Sequence, residues 1–358
     1  MDEISHDTEG GRPQDPRPLE EWRAERRSTS RARPQWAGSG YLASDGLRHE
    51  VARRFHDLFC HQSWNVGIVD EPIRAFLEDD LQPSVQWLPP LGKGTYLADP
   101  FGITLEGRAY VFCEEFDYQS YKGVIVRIQI SEEGLPISKR IALQAPFHMS
   151  YPYILEHNGD VYCIPETHEA GEIGLYRPDE FPDRWRKAAT LVADFSGVDP
   201  TIFAHDGRWW ILCTDSNTGS NDALFAFHAP DPLGRWEPHR ANPVKRGRNG
   251  TRPGGTPFIH KGELYRPAMD CSRLYGEQIV INRVSKLTPN EFEEEPVRIV
   301  GPFAKGRYRD GVHTLSALGD KTLVDAYRLT FEKTEYRRAI EVQTRDFLGW
   351  LTPQWHKK

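Results

Sequence analysis

Hydrophobic and polar residues alternate along most of this chain in units of about fifty residues. Within each unit, a hydrophobic segment is followed by a turn centred on glycine and then by a segment rich in aromatic and β-branched residues. The turn glycines are Gly107, Gly159, Gly207, Gly262 and Gly319, at intervals of 48 to 57 residues. Alternation with a period of two predicts β-strands, and a glycine turn between two such segments predicts a hairpin.

Further hydrophobic segments predict four strands in each unit. First strands are predicted at 98–105, 150–157, 198–205, 254–261 and 311–318, third strands at 123–130, 171–178, 223–230, 278–287 and 337–344, and weaker outer strands at 142–146, 190–195, 241–244 and 298–303. A repeat of this length, built of short strands with no long helix, is typical of propeller blades. The sequence therefore predicts an all-β fold, a five-bladed β-propeller of four-stranded blades with a short helical N-terminal lead-in.

The last unit lacks a convincing outer strand, so the ring needs a closing segment from elsewhere. Segment 85–88 (VQWL), together with 64–69 (WNVGIV), is predicted to complete the fifth blade and so to remove two exposed sheet edges. Apolar residues between Leu47 and Phe59 predict one helical face, and a second short helix is predicted over 70–77. The predicted organisation is a disordered tail (1–40), a helical lead-in and ring-closing segment (41–83) and the propeller (84–350).

Composition narrows the choice of compartment and partner. No run of 18 apolar residues occurs, so neither a signal peptide nor a membrane span is predicted. The five cysteines are Cys60, Cys113, Cys163, Cys213 and Cys271, and three of them fall in second strands, which predicts buried thiols and a reducing, cytoplasmic location. A net charge of −7 argues against a nucleic acid partner, because binding to phosphates requires a basic face.

The beginnings of the first strands are the first candidates for a functional site, because a propeller brings them to one axial pocket. Asp99 and Asp199 each precede a proline at equivalent positions, where proline suits a strand end at a pocket rim. Tyr151, Arg252 and His313 stand near the openings of the other three blades. The alternative is that each Asp-Pro pair is ordinary turn chemistry.

A second set of acidic residues follows the turn glycines by seven or eight positions: Glu114, Glu115, Glu166, Asp215 and Asp270. Second strands run antiparallel to first strands, so these residues return to the same face of the ring. Crowded carboxylates raise one another's pKa, whereas a neighbouring arginine lowers it. One carboxyl can then act as an acid and another as a base, as glycoside hydrolysis requires. The alternative is an Arg–Asp lattice that only joins the inner strands.

Several ordered phrases carry a resemblance to a known family. They are WNVGIV (64–69), ADPFG (98–102), SYP (150–152), IPET (164–167), FPDRW (181–185), PLGRWEPHRANPV (232–244), RPGG (252–255) and RPAMDCSRLYG (266–276). On these phrases the chain resembles the N-terminal propeller domain of glucosamine inositolphosphorylceramide transferases of plants and its bacterial relatives. More distantly, it resembles the propeller glycoside hydrolases of families 43, 32 and 62.

The hydrolase resemblance implies roles for particular residues. Asp99 matches the base or nucleophile and Asp199 the residue that orients substrate and modulates pKa. The hydrolases keep their acid on blade four, where this chain has no glutamate in 251–255. Glu166 is therefore the predicted proton donor, with Glu115 as second choice. The predicted substrate-binding residues are Glu114, Glu115, Tyr151, Arg252, Arg266, Asp270 and His313; His313 is interpreted as structural rather than as a calcium ligand, and no metal or cofactor is predicted.

Two classes of function remain open from the sequence. The first is a carbohydrate-active enzyme that acts on a glycosidic bond, by hydrolysis or transfer, in glycan or glycoconjugate metabolism. The second is a non-catalytic glycan-binding or scaffold propeller that serves a partner glycosyltransferase. The missing acid on blade four favours the second class, whereas the paired aspartates and Glu166 favour the first.

Overall fold

Five antiparallel sheets form a closed ring in this protein. The computed structural model describes residues 60–303 and 305–331. Each inner strand contacts the inner strands of the neighbouring blades, so the five sheets surround a common axis. The predicted all-β, five-bladed propeller is confirmed.

Most strands lie close to the predicted segments, but the outer strand predicted at 241–244 is wrong, because these residues form a turn between two short strands. The first two along the chain are β1 (Cys60–Val69) and β2 (Val85–Trp87). Blade one comprises β3 (Thr95–Leu105), β4 (Arg108–Asp117), β5 (Lys122–Ile130) and β6 (Pro136–Leu143). Blade two comprises β7 (Ser150–His157), β8 (Asp160–Glu166), β9 (Glu172–Glu180) and β10 (Arg184–Ala193).

The third and fourth blades are less regular. Blade three comprises β11 (Gly197–His205), β12 (Arg208–Asp215) and β13 (Ala223–Ala229), with the short β14 (Glu237–Pro238) and β15 (Lys245–Arg246) at its outer edge. Blade four has a divided inner strand, β16 (Asn249–Pro253) and β17 (Phe258–His260), followed by β18 (Glu263–Asp270), β19 (Gln278–Leu287) and β20 (Phe292–Val300). The division falls where glycine and proline interrupt the predicted strand 254–261.

The fifth blade joins the two ends of the described chain. It comprises β21 (Gly311–Leu318) and β22 (Lys321–Phe331), followed outward by β1 and β2. The prediction of 337–344 as its third strand was wrong in this respect, because β1 pairs with β22 over its whole length and occupies that place. Segment 337–344 itself lies outside the described residues. Closure by β1 makes the ring depend on pairing between distant parts of the chain.

The core is divided among the spaces between blades. Separate clusters of buried apolar side chains fill the five interfaces between neighbouring sheets. Cys113, Cys163 and Cys213 are buried within these clusters, as their positions in second strands predicted.

Helical structure is confined to two short 3₁₀ turns in the described part of the chain, Ile73–Leu77 and His168–Ala170. The first corresponds to the helix predicted over 70–77. The helical face predicted between Leu47 and Phe59 lies outside the described residues. None of the helices between residues 60 and 331 is long and apolar enough to cross a membrane.

Candidate active site

A bulge near the start of the inner strands directs the candidate residues towards the axis. In blade one, Ala98 pairs with Glu114 and Phe101 with Phe112, so two residues of β3 face one residue of β4. Equivalent irregularities occur in all five blades. A bulge bends the strand and redirects a side chain, which suits a site at the end of a sheet.

Three of these bulge residues share an unusual backbone conformation. Asp99, Tyr151 and Asp199 have φ angles of 52°, 45° and 50°, although each precedes a proline. Left-handed backbone at a residue other than glycine costs about 1–3 kcal/mol, and proline further restricts the residue before it. All three side chains bond to residues of other blades. These contacts between blades hold the strained conformation in place.

Asp99 belongs to a buried cluster with His313 and Asp325. Asp99 Oδ1 lies 3.7 Å from Nε2 of His313, and Asp325 Oδ2 lies 2.7 Å from Nδ1 of the same ring. Asp325 also accepts hydrogen bonds from the backbone N–H groups of Asp99 (2.7 Å), His313 (3.3 Å) and Thr314 (2.9 Å). The Thr314 hydroxyl donates to Asp99 Oδ1 at 3.1 Å. Asp325 therefore fixes the backbone of blades one and five around Asp99.

The proton affinity of Asp99 follows from these surroundings. Burial raises the pKa of Asp99, the charge of His313 lowers it, and the charge of Asp325 raises it. The net result is a pKa of about 6. Burial alone would lower the pKa of His313, but Asp325 and Asp99 raise it above the ordinary value. Asp99 is thus ionised at neutral pH and protonated in mild acid, which is the behaviour of a general base.

Arg252 joins two other carboxylates on the far side of the axis. It donates to both oxygens of Asp199, from Nε at 2.5 Å and from Nη2 at 3.2 Å. Its Nη2 lies 3.8 Å from Glu166 Oε2, and that oxygen accepts the backbone N–H of Asp199 at 3.1 Å. The other oxygen of Glu166 lies 2.6 Å from Nδ1 of His168. Both oxygens of Glu166 are therefore engaged.

This network keeps Glu166 ionised. Burial alone would raise its pKa, but the hydrogen bond with His168 and the charge of Arg252 lower the pKa to about 2. The hydrogen bond with Glu166 in turn raises the pKa of His168. Burial lowers the pKa of Arg252, yet Asp199 raises it well above the ordinary value. A carboxylate held so firmly in its charged form is unsuited to donate a proton.

The surroundings of Glu114 differ from those of Glu166, because they raise its pKa instead of lowering it. Its Oε1 is buried without a hydrogen-bond partner among the described residues and lies 3.5 Å from Nε2 of His148. Nδ1 of His148 accepts the backbone N–H of Gly123 at 3.0 Å, and burial lowers the pKa of the ring, so its neutral form carries the proton on Nε2. Burial raises the pKa of Glu114 well above its ordinary value, and Asp99 and Glu166 raise it further. Burial and the neighbouring carboxylates therefore favour the protonated form of Glu114.

An aromatic wall connects the Asp99 and Arg252 clusters. The Trp64 ring stacks on His313 with a centroid distance of 3.9 Å, and the Tyr275 ring meets His313 edge-on at 5.4 Å. The Arg252 guanidinium lies 5.0 Å from the centroid of Tyr275. Rings of this kind offer the flat apolar surface on which the C–H face of a sugar packs.

Tyr151 ties blade two to blades three and four. Its hydroxyl accepts the backbone N–H of Gly255 at 2.8 Å and lies 2.9 Å from the Thr201 hydroxyl. Gly255 in turn forms a parallel bridge to Leu315 of blade five. A Cβ at Gly255 would lie 1.7 Å from the Leu315 carbonyl oxygen, so only glycine allows this approach.

Replacing Tyr151 with phenylalanine is expected to lower the free energy of unfolding by about 1–3 kcal/mol, because the buried Gly255 N–H loses its acceptor. Urea denaturation measures this difference. Tyr153→Phe, two residues further along β7, is the matched control, since no hydrogen bond of its hydroxyl is found within residues 60–331. Equal stability of the Tyr151 variant and the control would contradict the role given to the hydroxyl.

Three of the predicted site residues, Glu115, Arg266 and Asp270, lie outside these clusters. Glu115 forms an ion pair with Lys139 of β6, on the other face of blade one from Glu114, because consecutive strand residues point to opposite faces. Arg266 is buried in an ion pair with Glu294, at 2.7 Å. The structure thus places Glu115 and Arg266 in ion pairs of their own blades and away from Asp99.

Asp270, at the end of β18, forms hydrogen bonds with residues close to it in the sequence. Its carboxylate accepts hydrogen bonds from the backbone N–H of Ser272 and from Nε2 of Gln278, each at 2.9 Å. Asp215, the remaining acid of the second set, is completely buried and accepts the backbone N–H of Asn217 at 3.1 Å. These two acids shape the turns that follow their strands.

The sequence analysis missed Asp325 and the two histidines. Asp325 follows Gly319 by six residues rather than by the seven or eight that separate the other acids from their glycines. A search of the fifth unit that also allowed a spacing of six residues between the turn glycine and the acid would have found Asp325. His148 and His168 lie in connections outside the strand repeat, so no periodic signal marks them.

Asp99, His313 and Asp325 are also the group that could hold a metal ion, since one ligand atom from each lies within 4.8 Å of the others. The donor set fits an ion poorly. Both oxygens of Asp325 already accept backbone N–H groups, and one of them also binds His313. Oxygen ligands of a hard cation would have to be released from these bonds first. The cluster is therefore interpreted as a network of protein hydrogen bonds.

Comparison with known proteins identifies relatives of this chain. A family model described as "Glucosamine inositolphosphorylceramide transferase 1, N-terminal" matches residues 92–313. Glucosamine inositolphosphorylceramide transferase 1 of Arabidopsis thaliana is 33% identical over 225 residues, which are 60% of this chain and 28% of the plant protein. The Oryza sativa subsp. japonica protein of the same name is 32% identical over 219 residues, 59% of this chain and 29% of the rice protein. The chain thus spans less than a third of these relatives.

Solved structures with similar coordinates include two glycoside hydrolases. Zg3597, of family 117 from Zobellia galactanivorans, has a TM-score of 0.49 and 14% identity, covering 76% of this chain and 91% of its own. The α-L-arabinofuranosidase PaAbf62A from Podospora anserina has a TM-score of 0.49 and 12% identity, covering 65% and 81%.

The family model covers more than half of the chain and includes the strands that carry Asp99, Glu114, Glu166 and Asp199. The resemblance drawn from the sequence phrases is confirmed. This five-bladed β-propeller therefore belongs to the family defined by the N-terminal part of glucosamine inositolphosphorylceramide transferase 1.

Proposed function

We propose that this carbohydrate-related propeller is an enzyme that acts on a glycosidic bond in a glycan or glycoconjugate. The observation that carries the proposal is the unlike surroundings of two neighbouring carboxyls: Asp99 is bound by Thr314 and lies beside His313, whereas Glu114 has a buried oxygen without a hydrogen-bond partner among the described residues. The pKa of Asp99 is raised to about 6, and burial raises the pKa of Glu114 well above its ordinary value. Environments that separate the proton affinities of two carboxyls in this way are typical of acid–base pairs in glycoside cleavage.

In the proposed step, Glu114 gives its proton to the glycosidic oxygen as the bond from that oxygen to the anomeric carbon breaks. Asp99 takes a proton from water as the water oxygen bonds to the anomeric carbon. A sugar hydroxyl in place of water would make the same step a transfer. Arg252, held in place by Asp199, orients the substrate, and the partly exposed ring of Tyr275 supports one sugar face.

Assigning the donor to Glu114 replaces the predicted donor Glu166. Glu166 lies at the axis, but its oxygens are bound by His168 and by the Asp199 N–H, and Arg252 lies nearby. Glu166 then acts as a positioning residue for Asp199 and Arg252. This arrangement also accounts for the absence of a glutamate in 251–255, because blade one supplies the acid instead of blade four.

The names of the plant relatives point to a glycolipid, since they contain both glucosamine and inositolphosphorylceramide. Because this chain spans under a third of those proteins, their transfer reaction is not assigned to it. We infer a substrate that contains a sugar linked to a polar headgroup. Carboxylates outnumber cationic groups near the axis. Their negative potential favours neutral or cationic sugars, such as an amino sugar, over acidic ones.

One observation favours a second candidate function, glycan binding in support of a partner glycosyltransferase. Asp199 is completely buried, and Arg252 occupies both of its oxygens. A substrate hydroxyl would have to displace Arg252 to reach this carboxylate. A site that binds without turnover needs no such displacement.

A screen for turnover and binding separates the two functions. The protein is incubated with a panel of aryl and natural glycosides, including amino sugars linked to inositol, and released reducing sugar is measured. The same compounds are then tested for binding by calorimetry. Turnover that depends on Asp99 supports the enzyme, whereas saturable binding without released sugar supports the binding protein.

Glu114→Gln is expected to slow cleavage of glycosides with poor leaving groups by about 10²-fold or more, because the amide cannot protonate the glycosidic oxygen. Activated aryl glycosides, which leave without protonation, should lose much less rate. Glu115→Gln, the neighbouring residue on the other face of β4, is the matched control. A uniform loss over all leaving groups would remove Glu114 from the donor role.

A further inference from the structure

A cavity lies beside blades five and one, and none of the proposed acid, base and substrate-orienting residues lines it. Its volume is about 280 Å³, and its walls are formed by β1, the end of β22, the loop before β3 and the segment around Arg307. The cavity is called the basic pocket below; its lining includes His61, Ser63, Lys93, Thr95, Arg307 and Arg328. This size suits a small polar headgroup better than a long glycan.

The pairing of β1 with β22 builds the floor of the basic pocket. Ser63 lies directly opposite Arg328, and His61 lies opposite Thr330. Alternate residues of a strand point to one face of the sheet, so all four side chains share the face that lines the pocket. The Thr330 hydroxyl donates to the His61 carbonyl at 3.2 Å, which leaves its lone pairs as acceptors. The floor is therefore set by regular sheet geometry and not by a loop.

Two arginines of the basic pocket, Arg307 and Arg328, have no acidic partner within the described lining. No lining residue that the structure describes is Asp or Glu. Nε of Arg328 is buried and has no hydrogen-bond partner among the described residues. The Arg307 guanidinium lies 6.0 Å from the Tyr308 ring, which is a pocket wall. A buried guanidinium N–H without an acceptor is costly unless an anion supplies one.

The basic pocket adjoins the axial site. Trp64 lines the pocket and also stacks on His313. Tyr118 lines the pocket as well, and its ring meets the ring of Tyr96 at 5.5 Å. Tyr96 pairs with Phe116 of β4, which lies two residues from Glu114 and therefore on the same face of the strand. A molecule that spans Trp64 could therefore reach both sites.

The geometry points to the basic pocket as a binding site for a phosphate group, held by Arg328 and Arg307. Two guanidinium groups present paired N–H donors that match phosphate oxygens, and Ser63 adds a hydroxyl. The assignment of this phosphate to the substrate of the axial site rests on the proposed function. The phosphate could belong to a soluble sugar or cyclitol phosphate or to the headgroup of a membrane lipid.

Calorimetry and vesicle flotation of the full chain test the proposal. The probes are inorganic phosphate, myo-inositol 1-phosphate, and vesicles of phosphatidylcholine with or without phosphatidylinositol. Arg328→Gln and the exposed Arg307→Gln are each expected to weaken phosphate binding about tenfold or more, since a charge-assisted hydrogen bond is lost. Arg177→Gln, which removes an exposed charge from β9 in blade two, is the matched control.

The outcomes assign the source of the phosphate. Binding of the soluble phosphates that both pocket variants weaken, without flotation, assigns a sugar or cyclitol phosphate. Flotation only with phosphatidylinositol, again weakened by both variants, assigns a lipid headgroup. Failure of all probes to bind, or equal binding by the pocket variants and Arg177→Gln, overturns the site.

The Asp99→Asn variant separates this proposal from the proposed function. It is expected to keep the phosphate affinity of the wild type, because Asp99 does not line the basic pocket. If the protein binds phosphate but turns over no glycoside, the phosphate site is supported and the enzymatic function is overturned. If it turns over a glycoside but binds none of the phosphate probes, the enzymatic function is supported and the phosphate site is overturned.

Discussion

Replacing Asp99 with asparagine is expected to lower turnover of any glycoside that the protein cleaves by about 10⁴-fold while the fold stays intact. Asparagine preserves the shape of the side chain and can accept the Thr314 hydrogen bond. It cannot take a proton from water or attack the anomeric carbon. Initial rates for wild type and variant, with circular dichroism and thermal unfolding as the structural control, measure the effect.

The wild-type pH profile is part of the same expectation. The pKa of Asp99 is raised to about 6, so kcat/KM should rise as the pH increases through about 6 and Asp99 loses its proton. The raised pKa also favours protonated Asp99 in the folded state. Its contribution to stability is therefore full below the pKa of an unfolded aspartate, ~3.9, and is lost as the pH rises through about 6. A rate that is flat between pH 4 and 8, or a fully active Asp99→Asn variant, would remove Asp99 from the mechanism.

Replacing Asp325 with alanine is expected to lower the free energy of unfolding by about 3–5 kcal/mol, the largest stability effect predicted for this protein. Asp325 is completely buried. Its loss leaves the backbone N–H groups of Asp99 and Thr314 without their acceptor and leaves His313 without the partner at Nδ1. A buried N–H without an acceptor costs about 1–3 kcal/mol, and a buried charge without its partner costs more.

Urea denaturation of Asp325→Ala beside Asp320→Ala measures this effect. Asp320 is exposed in the hairpin that leads into the same strand, so its removal is expected to change stability by less than about 0.5 kcal/mol. Asp325→Asn, which keeps one acceptor oxygen, should fall between the two. If all three variants unfold at the same urea concentration, Asp325 does not organise the junction of blades one and five.

The sequence alone determined the number of blades and the position of most strands. The glycine of each hairpin and the alternation around it are local signals, and they recur five times. The repeat also placed Asp99 and Asp199 at equivalent positions, because both precede their hairpin glycines, Gly107 and Gly207, by the same number of residues. Local patterns and their repetition sufficed for these conclusions.

The tertiary structure decided which strands close the ring and which carboxyl is free to act. β1 replaces the predicted strand 337–344 because pairing between distant segments leaves no local pattern. Glu114 and Glu166 occupy matching positions in their blades, yet His168 and Arg252 keep Glu166 charged, while one oxygen of Glu114 has no hydrogen-bond partner in the part of the chain that the structure describes. Burial and charges from other blades set the pKa of a carboxyl, so its chemical role depends on contacts that sequence spacing does not contain.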